Sequence, residues 1–156
     1  MANAKYLDLG SMIDGSPPVI WTLPEAASQT FVAGDLVYRS SGYITVCGSD
    51  PSQILGMVME DGHNDSSDGT YDVNVLVATE ATLFYSSVYH SVAGNCKIEA
   101  TDLGTKYGLV ASSNKWLVDK TDTSNTRCRV QKFYDALATT NGRVLIQILA
   151  ANREVA

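Results

Sequence analysis

Several residue patterns that indicate common functions are missing from this sequence of 156 residues. Its three cysteines, Cys47, Cys96 and Cys128, form no CxxC pair, so we expect reduced, partly buried thiols and no disulfide framework. No apolar run approaches the ~20 residues that a membrane-spanning helix needs. The N-terminal apolar residues are interrupted by Asp14 and Gly15, which leaves no apolar core for a secretory signal. We therefore expect a protein that is assembled in the cytoplasm and does not enter a membrane.

Basic residues are also scarce: the chain has 11 of them and 17 acidic residues, which gives a net charge of −6. No Lys or Arg lies between Arg39 and Lys97, where seven carboxylates fall. This balance argues against nucleic-acid binding, which needs a basic surface to displace counterions. The uneven charge suits docking onto an oriented partner or a second copy. The alternative is that antiparallel strands from the acidic and basic parts of the chain lie side by side, so that the electrostatic field of the surface is nearly even.

Sequence motifs for catalysis and metal binding are absent as well. Neither His63 nor His90 belongs to an HExxH motif, and no GxSxG elbow or phosphate-binding glycine loop occurs. The segment 61–72 holds four aspartates, but its spacing departs from a calcium-binding EF-hand loop, so a solvated strand connection is favoured and calcium binding stays open. We expect no enzyme activity, no cofactor and no metal. A small hydrolase built from Asp61, His63, Asp65 and His90 remains a minor alternative.

What the sequence does contain is a series of short strand patterns over residues 31–156. Leu36–Arg39 and Tyr43–Cys47 flank a short turn with a glycine, and Tyr71–Val77 alternates apolar and polar residues. Leu83–Tyr89 is expected to pair with Tyr71–Val77, and the apolar strand Arg143–Ala150 is expected to lie in the centre of a sheet. Short strands at this spacing predict an all-β domain of antiparallel strands, either a small barrel or a sandwich.

Residues 1–30 follow neither a helical nor a strand period, and we expect them to form an extended N-terminal arm. Their prolines favour an extended path, yet the segment is too apolar for a free tail. We expect it to lie on a neighbouring subunit or partner, although an irregular strand closing this chain's own core is the alternative. Trp116, beside a turn, is expected to be half exposed. The predicted partner-binding residues are Leu7, Leu9, Ile13, Val19, Ile20, Trp21 and Trp116.

Three groups of segments within residues 30–150 are distinctive: Phe31–Tyr38 (FVAGDLVY) with Ile54–Val58 (ILGMV), Ala100–Val110 (ATDLGTKYGLV) with Trp116–Lys120 (WLVDK), and Asn141–Val144 (NGRV). On these segments the chain has a resemblance to small cement or decoration proteins of tailed-phage capsids. It consists of turns and apolar alternation and includes no catalytic signature. It implies a structural virion protein on the capsid exterior.

The favoured hypothesis is therefore a homotrimer that stabilises the shell by bridging neighbouring major capsid proteins. Three joined subunits bind with a higher effective concentration than one, and a cyclic oligomer matches a lattice that repeats one surface. The alternative is a carbohydrate- or receptor-binding β-module on the virion surface that uses Trp116, Tyr43 and nearby tyrosines. A sugar titration of the isolated protein separates these hypotheses.

Overall fold

The structure is a computed structural model that describes residues 7–112 and 115–155. It is nearly all β, as predicted, with three short 3-10 turns at Ala93–Asn95, Ala100–Asp102 and Ala150–Asn152. The strands of the described residues are β1 (Asp8–Met12), β2 (Ile20–Pro24), β3 (Leu36–Ser40), β4 (Tyr43–Val46), β5 (Gly56–Val58), β6 (Asp72–Val77), β7 (Thr82–Tyr89), β8 (Lys106–Ser112), β9 (Lys115–Asp119), β10 (Cys128–Phe133) and β11 (Arg143–Ile148).

Five strands form a closed barrel in the order β7-β11-β10-β8-β9. The ring closes because β9 also pairs with β7, in parallel, at Val88↔Val118 and Tyr89↔Asp119. The expectation that β7 pairs with β6 is wrong, since its partners are β1, β9 and β11. Strand β7 is long enough to pair with β1 along its first half and with β9 at its end. Strand β11 lies between β7 and β10, which agrees with its predicted central position.

A second, antiparallel sheet has the order β2-β6-β5-β3-β4. The hairpin of β3 and β4 turns at Ser41 and Gly42, whose φ angles of 51° and 90° are both positive. Two positive φ angles are typical of a type I′ turn, which matches the twist of the flanking strands. Beyond the end of β2, Glu25 bridges to Ile44 of β4, which brings the two outer strands of this sheet together.

Two hydrophobic clusters hold the molecule together. The first combines side chains of both sheets and includes Phe84, Trp116 and Ile146. The second lies on one face of the five-stranded β2–β4 sheet and includes alternate residues of β6. Leu76, on the other face of β6, joins the first cluster, so the end of this strand is buried on both faces. Burying each such side chain contributes roughly 1.5–3 kcal/mol to the free energy of unfolding. The first cluster therefore stabilises the contact between the two sheets.

The segment 1–30 contributes to both sheets where the structure describes it. Strand β1 pairs with β7 at Asp8↔Tyr85, and β2 pairs with β6 along its whole length from Ile20↔Leu76. This arrangement is the alternative left open by the sequence, in which the segment completes the chain's own sheets. The physical reason is that its apolar residues find partners on β6 and β7. Residues 1–6 lie outside the described part of the chain.

Candidate partner-binding surface

Two of the predicted partner-binding residues are buried inside this chain. Leu7 and Trp116 are each only 2% exposed, and both belong to the first hydrophobic cluster. The expectation that Trp116 is half exposed is wrong because its position on β9 turns the ring into the core, although the strand starts beside a turn. Neither side chain can anchor a partner in this conformation.

The other predicted residues divide into packed and exposed side chains. Leu9 packs partly against the first cluster, while Val19 and Trp21 pack partly against the second. Ile13 and Ile20, by contrast, are 55% and 48% exposed. Isolated exposed apolar residues are ordinary, so only those that lie within a larger apolar surface indicate a binding site.

Ile20 lies in such a surface, together with Met59. Met59 follows β5, donates its backbone N–H to Asn74 at 2.9 Å, and is 46% exposed. A shallow groove of about 390 Å³ is lined by these three residues and Glu60. The strand pairing of β2, β5 and β6 therefore places two large apolar side chains beside one another on the surface.

A second groove, of about 450 Å³, opens between the two sheets and also contains Met59 in its wall. The barrel supplies Tyr85 and Arg143, and β5 supplies Met57 and Val58. Met59 lines both grooves, so the two adjoin at this side chain. We call the surface formed by Ile20, Met59, Tyr85, Tyr134 and Arg143 the inter-sheet surface.

The aromatic end of the inter-sheet surface is held by several contacts. Tyr134 is 52% exposed, and its ring meets the ring of Tyr85 edge-on at a centroid distance of 4.9 Å. The Arg143 guanidinium lies 4.2 Å from the centroid of the Tyr134 ring. The Nε atom of Arg143 also contacts the Asp135 carboxylate at 3.2 Å. Tyr and Arg are enriched at the energetic centres of protein interfaces, and a held side chain loses less entropy on binding.

Sequence reasoning identified Ile20 but missed Met59, Tyr85, Tyr134 and Arg143 as binding candidates. These residues come from four separate segments, and only the packing of the two sheets brings them together. The one local signal is the apolar residue Met59 directly before the polar segment that begins at Glu60.

The acidic segment 61–72 uses its carboxylates to hold its own backbone and that of a neighbouring loop. Asp61 accepts the N–H of Ala33 at 2.9 Å, and Asp68 accepts the N–H of Ala27 at 2.7 Å. Asp65 caps a turn within the segment. Among the described residues no group of three His, Cys, Asp or Glu side chains could hold a metal ion. The segment is an acidic connection between strands whose carboxylates accept hydrogen bonds from backbone N–H groups.

The residues of the hydrolase alternative have separate structural partners. The Nδ1 atom of His63 lies 2.9 Å from Oε2 of Glu25, a residue that is only 3% exposed, and the ring stacks on Tyr71 at 4.2 Å. His90 accepts the N–H of Val92 at its Nδ1 atom. The Glu25–His63 pair links segment 61–72 to the junction of β2 and β4.

The cysteines do not pair, and two of them are chemically shielded. All three are free thiols. Burial raises the pKa of Cys47 to about 12 and that of Cys128 also to about 12, because the thiolate loses its hydration. These two thiols are therefore core side chains.

For the carbohydrate alternative, the burial of Trp116 removes the larger ring of the expected stacking platform. Comparison with known proteins adds no identification: no family model matches the chain, and no curated protein matches it either. In residues 7–112 and 115–155, no helix has both the length and the apolar composition needed to cross a membrane.

Proposed function

We propose that this protein is a structural virion component that binds the capsid exterior of a tailed phage and stabilises the shell by bridging neighbouring major capsid proteins. The observation that carries the proposal is the inter-sheet surface, on which Ile20, Met59 and Tyr134 are each about half exposed. The resemblance of residues 30–150 to capsid decoration proteins supplies the identity of the partner. The all-β fold is in keeping with that resemblance.

The inter-sheet surface suits protein binding for two physical reasons. Its large side chains lie on or directly beside paired strands, so little conformational entropy is lost when a partner covers them. Its composition, two aliphatic side chains beside a Tyr–Tyr–Arg cluster, matches the residues that dominate interface energies. A protein partner that buries these side chains would gain hydrophobic free energy without reorganising the fold.

We further propose that the protein acts as a homotrimer. One copy of the inter-sheet surface is small, and a weak contact with a shell becomes strong when three linked copies bind at once. A three-fold ring repeats one heterologous interface and presents the same surface three times, which fits the local symmetry of a capsid lattice.

The test is co-sedimentation with empty shells of the major capsid protein, using the Ile20→Asp variant. About half of the Ile20 side chain is accessible for burial by a partner. Its loss removes roughly 1 kcal/mol per site and adds the cost of burying a carboxylate, so each contact weakens about tenfold or more. Val92→Asp is the matched control, since Val92 is 56% exposed in a turn after β7 and lies outside the inter-sheet surface.

We expect wild-type protein and the Val92→Asp variant to sediment with the shells, and the Ile20→Asp variant to stay in the supernatant. Equal binding of all three proteins would remove the inter-sheet surface from the proposal. Absence of wild-type binding would overturn the capsid role itself, and sedimentation equilibrium of the free protein would decide the trimer separately.

The second candidate is the carbohydrate- or receptor-binding module, which is favoured by the exposed ring of Tyr134 beside Tyr85. Sugars stack on open aromatic faces, but the guanidinium of Arg143 already covers the Tyr134 ring at 4.2 Å. We therefore rank this candidate second. A glycan titration that shifts the fluorescence of the wild-type protein, but not that of Tyr134→Ala, would reverse the order.

A further inference from the structure

A buried cluster of polar groups lies where the end of β9 meets the 3-10 turn Ala100–Asp102. The side chain of Lys120 is only 4% exposed and that of Asp102 only 1%. The Nζ atom of Lys120 lies 3.0 Å from Oδ2 of Asp102 and 2.9 Å from Oε2 of Glu99. It also donates to the carbonyl of Lys97 at 2.8 Å. An amine and a carboxyl group are therefore held in contact, away from water.

The backbone fixes the positions of both side chains. Asp102 closes a capping box with Glu99, whose N–H donates to Oδ2 of Asp102 at 2.8 Å. Lys120 follows β9 directly, and its own N–H donates to the carbonyl of Tyr89 at 2.9 Å. A reaction between two groups held in this way is effectively unimolecular, so it avoids the loss of translational and rotational entropy that two separate molecules would pay.

Burial also makes the pair costly to keep as two separate charges. Taking two opposite charges out of water carries a desolvation cost that their attraction only partly offsets. An amide bond between the two side chains would carry no charge and would remove that cost.

We propose that Lys120 and Asp102 join in an intramolecular isopeptide bond. The Nζ atom of Lys120 attacks the Cγ atom of the Asp102 carboxyl group, a C–N bond forms, and a C–O bond breaks. The carboxyl oxygen leaves with two protons as one water molecule. No oxidant, reductant or cofactor is needed for this balance.

Two neighbours touch the reacting groups and have distinct roles. Glu99, at 2.9 Å from Nζ, accepts a proton from the attacking nitrogen and returns it to the leaving oxygen as a general base and acid. Its side chain is 49% exposed, which gives the released water a path to solvent. Tyr107 donates its hydroxyl to Oδ1 of Asp102 at 2.7 Å, where negative charge develops during the attack.

The hydroxyl of Tyr107 stays protonated for this role. Burial, followed by the hydrogen bond to Asp102, raises the pKa of Tyr107 well above its usual range. The resulting bond would fasten the turn before β8 to the end of β9 and enclose the β8–β9 hairpin in a covalent loop. This inference does not depend on the proposed capsid role.

The test is mass spectrometry of the folded, full-length protein. We expect the intact mass to be about 18 Da, one water, below that of the Lys120→Arg variant after correction for the substitution. Trypsin cannot cleave after an acylated lysine, so the digest should contain a branched peptide that joins residues 98–106 to residues 116–127. An unlinked peptide that ends at Lys120, together with the full intact mass, would overturn the proposal.

Two further variants separate the chemistry from the fold. Glu99→Gln keeps the size of a largely exposed side chain but removes the proton acceptor, so we expect a folded protein without the mass loss. Glu154→Gln is the control, because Glu154 pairs with Arg39 elsewhere in the chain, and we expect it to keep the loss. Mass loss in wild-type protein held in denaturant throughout would show that the folded geometry is not responsible, and would also contradict the proposal.

Discussion

The burial of Trp116 leads to a specific expectation for the stability of the protein. Its ring is 2% exposed within the first hydrophobic cluster, and its carbonyl accepts the hydroxyl of Ser86 at 3.1 Å. Trp116→Ala keeps the backbone pairing of β9 but leaves a cavity in the barrel. Substitutions of this kind cost about 3–5 kcal/mol, a large share of the 5–15 kcal/mol that typically holds a domain together.

The assay is differential scanning calorimetry, which does not rely on the fluorescence of the removed tryptophan. For a chain of this size about 1 kcal/mol corresponds to 2–4 °C in Tm, so we expect Trp116→Ala to lower Tm by about 10 °C. Trp21→Ala is the matched control, since Trp21 is only partly buried on β2 and lies 5.8 Å below the Arg39 guanidinium. An equal or smaller shift for Trp116→Ala would refute its place in the core.

Three further expectations follow from single contacts. Gly56→Ala should lower the free energy of unfolding by about 1–3 kcal/mol in urea titrations, because a Cβ atom there would overlap a backbone carbonyl of β6, and unchanged stability would contradict the tight pairing. Hydrogen bonds from backbone amides lower the pKa of Asp122 in the folded protein. The ionised carboxylate therefore stabilises the fold at any pH above its unfolded pKa of about 4, and this stabilisation is lost as pH falls through the lower folded pKa. Asp122→Asn should therefore flatten the profile of Tm below about pH 4, and an unaltered profile would count against the contact. In native protein at pH 8, iodoacetamide should label Cys96 before Cys47 and Cys128, since only Cys96 is partly exposed; labelling of all three at one rate would contradict the burial.

Local patterns predicted the strands well, because turns and alternation are properties of neighbouring residues. The β3–β4 hairpin follows from the short turn that contains Gly42, and the alternating residues of Tyr71–Val77 form strand β6. The partners of β7 could not be derived in the same way. They lie far away in the sequence, and any apolar strand edge would satisfy the same pattern.

The binding surface was less predictable because exposure depends on tertiary packing. Trp116 and Ile20 are both large apolar residues next to loops, yet one is buried and the other is 48% exposed. The segment that contains Ile20 was expected to reach another surface, but β1 and β2 pair within the chain. What remains available for a partner is the outward side of that segment, together with residues from β7, β11 and the ends of β5 and β10.

The proposed capsid role requires the inter-sheet surface to face a capsid shell. Its most direct measurement is a cryo-electron microscopy map of empty shells incubated with this protein at saturating concentration. We expect three copies around local three-fold positions, with Ile20, Met59 and Tyr134 covered by the major capsid protein. A map in which these side chains point to solvent, or in which the shells carry no added density, would contradict the account.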